Sequence, residues 1–237
     1  MAEFLWVVLP YLTLGLFVVV SVVRYLYTPM EWGSKSSQLL ESTRLRWGSL
    51  LFHWGIVLVF FGHVFGLLVP IGVYEALGID AHLYHLGADL LGGLSGVATE
   101  VGLAILIWRR LSVRRLRATT DVGDWLSLGL LFVVVGLGDA QTAVANNLVG
   151  AYEYRVTVGP WVRELFTLHP DASLMAHVPL LLQVHVIASL ILFAVWPFTR
   201  LVHVLSLPLA YLRRAPIQYR QRTHAPHTAV TPAGRPY

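Results

Sequence analysis

Five stretches of this chain are apolar for long enough to cross a lipid bilayer, and nothing else in the sequence limits its fold so strongly. A hydrocarbon core about 30 Å thick takes about 20 apolar residues as a helix. Residues 4–27, 47–70, 87–108, 122–144 and 178–207 meet that length. The expected fold is all-α, an integral membrane five-helix bundle. Composition agrees, with 56% hydrophobic and only 13% charged residues, against about 25% charged in soluble domains. No polar stretch is long enough for a second folded domain. The expected organisation is a transmembrane domain over residues 1–213 and a mobile cytoplasmic tail over residues 214–237, rich in Pro, Thr and Arg. The beginning, "MAEFLWVVLPYLTLGLFVVV", has an acid in place of a positive leader region and no small-residue cleavage pattern, and it reads as a retained helix.

The chain has no cysteine. That excludes disulfides, thiolate-held Fe–S clusters and covalent Cys-x-x-Cys-His haem attachment within it, so any cluster belongs to a partner. Basic residues set the topology. The second connection, "VPIGVYEALGIDAHLYHLGADL", has no Lys or Arg, and the long fourth connection has only Arg155 and Arg163. The other fifteen of the seventeen fall in the first and third connections and the C-terminal end. The positive-inside rule therefore puts the N-terminus outside and the C-terminus in the cytoplasm. The basic cytoplasmic surface can dock a partner subunit and attract anionic membrane lipid. No nucleic-acid partner is expected.

Ten histidines are present, and four lie well inside the expected spans: His53 and His63 in the second, His185 and His203 in the fifth. Polar groups at membrane depth are costly unless satisfied and mark functional sites by default. At about 1.5 Å per residue, His63 comes level with His185 in the outer half, and His53 with His203 in the inner half. Two stacked imidazole pairs between opposite helices match bis-histidine ligation of haem iron. Without the covalent attachment motif the haems are b-type. Along straight helices the pairs cannot both be level, because the separations are about 15 Å in the second span and about 27 Å in the fifth. Tilt, or a kink at Pro197, has to absorb the difference. Interhelical hydrogen bonding is the competing account of each histidine taken singly. Zinc is disfavoured by the lack of H-E-x-x-H or a tight His/Cys cluster. Gly62 and Gly66, like Gly92 and Gly96, have G-x-x-x-G spacing and read as helix-packing contacts. Arg109, Arg110 and Arg117, ending the third span, could meet haem propionates or serve as topology determinants alone.

The segments "LFHWGIVLVFFGHVFGLLVP", "RRLSVRRLRATT" and "QVHVIASLILFAVWPFTRLVHVLSLPLAYL", with "SSQLLE" after the first span, resemble the gamma subunit of membrane-bound respiratory nitrate reductase. That family is a five-helix dihaem cytochrome b, and the likeness covers about residues 4–213. The resemblance implies two haem b groups, with His63 and His185 on the distal haem iron and His53 and His203 on the proximal one. It implies that Arg110 contacts a proximal-haem propionate. It further implies quinol oxidation near the outer face, with electrons passing inward through both haems. They would continue to an Fe–S beta subunit and a molybdenum-cofactor alpha subunit that reduces nitrate. The chain would then be the quinol-oxidising electron-transfer subunit in the cell membrane of a bacterium or archaeon.

Some family members carry a lysine shortly before the third span, whereas the only lysine here, Lys35, lies on the other side. His82 and His85 occupy that outer region, and either could exchange a proton with quinol. His85, nearer the third span, is the expected quinol-site residue, with a solvated loop histidine as the alternative. Menaquinol and ubiquinol fit equally. A short interfacial helix is expected over residues 160–168, and His169 and His177 are assigned no role. Competing readings are the cytochrome of a related quinone-linked complex of heterodisulfide reductase or formate dehydrogenase type, a haem-free membrane anchor, and a proton-relay protein.

Overall fold

Five helices long and apolar enough to cross a membrane run over Phe4–Tyr27, Thr43–Leu68, Ala81–Ser112, Val122–Thr142 and Leu180–Phe198. The structure, a computed structural model, describes residues 1–28, 41–148 and 150–205. Lys35 and the expected tail lie outside the described residues. There is no strand among the described residues, and the fold is all-α. The spans alternate in direction. One end of the bundle, here the N-terminal face, gathers Met1, the connection after Leu68 and the long connection after Thr142. The opposite end, the basic face, gathers Arg24, Arg109, Arg110 and Arg200.

Local chemistry sets where the spans begin. Asp80 accepts the Leu83 N–H at 2.7 Å, so the third span starts at Ala81. That is six residues earlier than hydropathy places it, and it puts His82 and His85 on the helix instead of in a loop. Asp121 and Asp124 form a reciprocal capping box at the start of the fourth span, with Asp121 accepting the Asp124 N–H at 2.8 Å.

The fifth span departs most from expectation. The span expected over 178–207, with tilt or a kink at Pro197, is an α-helix, Leu180–Val195, followed by 3-10 turns over Trp196–Phe198 and Arg200–Leu205. Pro197 has no N–H to return to the preceding turn, and Thr199 is extended, at φ −117° and ψ −178°. Arg24 of the first span donates to the freed carbonyls of Pro197 and Thr199. The Thr199 hydroxyl bonds Trp196 O at 2.9 Å and the Leu201 N–H at 3.2 Å, stitching the break. His203 thus sits on a separate turn from the helix that carries His185.

The closest helix pair is the second with the third. A Cβ at Gly55 would lie 2.8 Å from Thr99 N and 2.9 Å from Ser95 O, and one at Gly102 would lie 2.9 Å from Gly48 O. The G-x-x-x-G pairs do not make this contact. Gly62 and Gly92 have nothing within 4 Å, while Gly66 makes room for tyrosine hydroxyls and Gly96 for the Asp139 carboxylate. Near the N-terminal face, Trp6 packs on Trp161 edge-to-face at 5.8 Å, and the Trp161 indole donates to Trp6 O at 2.8 Å. Trp161 belongs to the short helix Val158–Thr167, close to where the sequence places one. A second cluster, Leu103, Leu131, Val134, Leu192 and Leu201, joins the third, fourth and fifth spans. Leu12, Val19, Phe60 and Leu94 face outward, as lipid requires.

Candidate functional site

All four of His53, His63, His185 and His203 have Nδ1 on a backbone carbonyl. His53 and His63 place Nδ1 on the carbonyls one turn back, Ser49 at 2.7 Å and Val59 at 2.8 Å. His185 reaches Val134 O of the fourth span at 3.1 Å, and His203 reaches Arg200 O at 2.5 Å. A carbonyl oxygen can only accept, so each Nδ1 carries the proton and Nε2 is the nitrogen left to bind a metal. Metal-ligating imidazoles typically donate their second N–H to such an acceptor, which fixes the ring and raises its basicity.

The structure brings the rings together as two pairs. His63 and His185 are stacked, with centroids 6.1 Å apart and planes at 25°. His53 and His203 are 6.5 Å apart and tilted by 60°. A metal–imidazole bond of about 2 Å, with the ring centre about 1 Å behind its nitrogen, would set two axial rings about 6 Å apart. Both pairs fit that spacing, so the residues present suit bis-histidine ligation. Gly138 leaves space for the His185 ring, because a Cβ there would come within 3.2 Å of Cε1. Among the described residues no three His, Cys, Asp or Glu side chains converge as a metal cluster.

A polar cluster caps the second span one turn beyond His63. His85 Nε2 lies 3.1 Å from Glu153 Oε2. Arg155, 3% exposed, clamps the same carboxylate through Nε at 2.7 Å and Nη2 at 2.6 Å. Its guanidinium lies 3.8 Å from the centroid of the Tyr84 ring. The Tyr84 and Tyr154 hydroxyls bond each other at 2.7 Å, directly over Gly66. The Arg155 hydrogen bonds hold the Glu153 carboxyl below its ordinary range, and the carboxylate in turn raises Arg155. Burial pushes the Tyr154 phenol up. His82, on the same helix as His85, is exposed.

A family model for the nitrate reductase gamma subunit matches residues 2–222. The chain belongs to that family. It is similar to the nitrate reductase gamma chain of Bacillus subtilis (strain 168), 46% identical over 221 residues that cover 93% of this chain and 99% of that one. It is also similar to the respiratory nitrate reductase 2 gamma chain of Escherichia coli (strain K12), 35% identical over 212 residues, 89% of this chain and 93% of that one. A more distant relative is a dihydromethanophenazine:CoB–CoM heterodisulfide reductase subunit of Methanosarcina thermophila, 23% identical over 184 residues, 74% of this chain and 61% of that one. With five spanning helices, this gamma-family chain is a multi-pass membrane subunit of an oxidoreductase complex.

At the basic face of this nitrate reductase gamma-family member, ion pairs tie the spans together. Arg110 lies 3.3 Å from Asp124 and donates to the Thr120 hydroxyl at 3.0 Å. Arg200 also pairs with Asp124, which is 2% exposed, and reaches Asp121 at 3.6 Å. Arg109, itself buried, binds Glu41 at 2.7 Å. Sequence reasoning missed Glu153, Asp124 and Glu41, and it took Arg155 only as a topology count. One signal was available: Arg155 is one of only two basic residues on its side, with a carboxylate two positions before it.

Proposed function

We propose that this chain is the quinol-oxidising cytochrome b subunit of a respiratory nitrate reductase, holding two haem b groups in a bacterial or archaeal cell membrane. His63 and His185 hold the group nearer the N-terminal face, and His53 and His203 the group nearer the basic face. The single observation that carries this reading is the double ring pair, each ring with Nδ1 on a carbonyl and Nε2 therefore left to bind a metal. When bound, the haems supply one-electron transfer across the bilayer. The charge asymmetry supports an orientation with the N-terminal face outside, where menaquinol or ubiquinol is oxidised and His85 accepts a quinol proton. Arg110 serves a propionate of the inner group. The basic face docks the Fe–S beta subunit, which passes electrons to the molybdenum-cofactor alpha subunit where nitrate is reduced.

The test is His63→Ala in the assembled complex. Haem content falls from two to one per chain, and quinol-driven reduction of the remaining haem stops. Retention of both haems with normal quinol-driven reduction refutes the assignment, and a colourless wild-type preparation turns the reading to a haem-free anchor. The likeness to a heterodisulfide reductase subunit supports a second reading, the cytochrome of a related quinone-linked complex. The soluble subunits retained after mild detergent extraction decide between them.

A further inference from the structure

The cluster above His63 holds His85 in a defined state. Oε1 of Glu153 receives two donors from Arg155, the backbone N–H at 3.3 Å and Nε at 2.7 Å. Oε2 receives Arg155 Nη2 at 2.6 Å and faces His85 Nε2 at 3.1 Å. Arg155 is itself fixed, with its guanidinium 3.8 Å from the Tyr84 ring centroid and 5.8 Å from that of Tyr74. A carboxylate gripped by a guanidinium stays ionised and can only accept. His85 must therefore present a proton on Nε2, and in the neutral ring the lone pair is then on Nδ1. No other hydrogen bond to the His85 ring is found among the described residues.

We propose that Glu153, clamped by Arg155, is a positioning residue that fixes His85 as its Nε2–H tautomer and so keeps Nδ1 ready to take a quinol hydroxyl proton. The inference rests on the reading of His85 as the quinol-site base. In the acid–base step the quinol O–H bond breaks and an Nδ1–H bond forms. The bonding pair stays on the quinol oxygen, and the imidazolium charge is held against the Glu153 carboxylate. The other titratable groups around His85 are Arg155 and Tyr154 from the fourth connection, Tyr74 from the short helix Ile71–Ala76, and Tyr84 from its own helix.

The discriminating variant is Glu153→Gln, which preserves shape. Two Arg155 donors keep the single amide oxygen at the Oε1 position, so the amide NH2 faces His85 Nε2 and reverses the tautomer. A carboxylate-to-amide change behind a catalytic imidazole slows other enzymes by trapping the wrong tautomer. The full chain with 15N-labelled histidine, with His85 assigned by loss of its signal in His85→Asn, reads the tautomer by NMR. The assembled complex with a short-chain naphthoquinol reads kcat and KM. The expected result is a switch from Nε2–H to Nδ1–H with kcat reduced at least about tenfold and KM little changed. An unaltered tautomer in Glu153→Gln overturns the proposal, as does a reversed tautomer with unaltered kcat when His85→Asn abolishes turnover. If His85→Asn itself leaves turnover unchanged, the quinol role of His85 fails, whatever the tautomer does.

Discussion

An imidazole that must keep one tautomer needs a neighbour that accepts and cannot donate. The four paired histidines have backbone carbonyls on Nδ1, and His85 has a carboxylate on Nε2 and so depends on a side chain. That dependence gives a stability prediction. Arg155→Ala leaves Glu153 without its clamp. The cost is about 2 kcal/mol, below the roughly 3–5 kcal/mol of a fully buried pair because Glu153 keeps some exposure to water. Since Arg155 depresses the Glu153 carboxyl from its ordinary 4.5, the pair's contribution is complete above that value and fades as pH falls through the depressed one. Thermal unfolding in detergent checks this: wild type and Arg155→Ala differ clearly at neutral pH, and the gap narrows under acid. The four ring-pair histidines were legible in the sequence because polar residues inside apolar runs are rare and costly. Glu153 was not, because its partner His85 lies 68 residues away and only the fold brings them together.

At the level of elements, hydropathy found all five spans because an average over twenty residues is insensitive to detail. It misplaced the start of the third, where "AHLYHL" mixes polar and apolar residues and the Asp80 cap was the better signal. Hydropathy alone does not mark the break in the fifth, since the residues around Pro197 are as apolar as a helix interior, and it was Pro197 itself that pointed to a kink there. Spacing likewise misjudged the glycines, because only the crossing point of two helices decides which ones are needed. Gly55→Val drives a side chain into the backbone of the third span and costs about 1–3 kcal/mol. Gly62→Ala meets open space and stays within about 0.5 kcal/mol of wild type. Equal unfolding temperatures for the two variants count against this interface.

For the molecule as a whole, sidedness is open to direct measurement, because the chain contains no cysteine. A Ser173→Cys variant, on the N-terminal face, is labelled by an impermeant maleimide on intact cells. A Ser112→Cys variant, on the basic face, is labelled only after the membrane is opened. The reverse pattern inverts the topology and moves the quinol chemistry to the cytoplasmic side. One consequence concerns synthesis. Each ring pair joins the second span to the fifth span or the turn after it, so neither can form until those later segments have been made. A nascent chain stalled before the last span carries half of both nests and the whole of neither. Assembly of either pair therefore waits for the segment that carries His185 and His203.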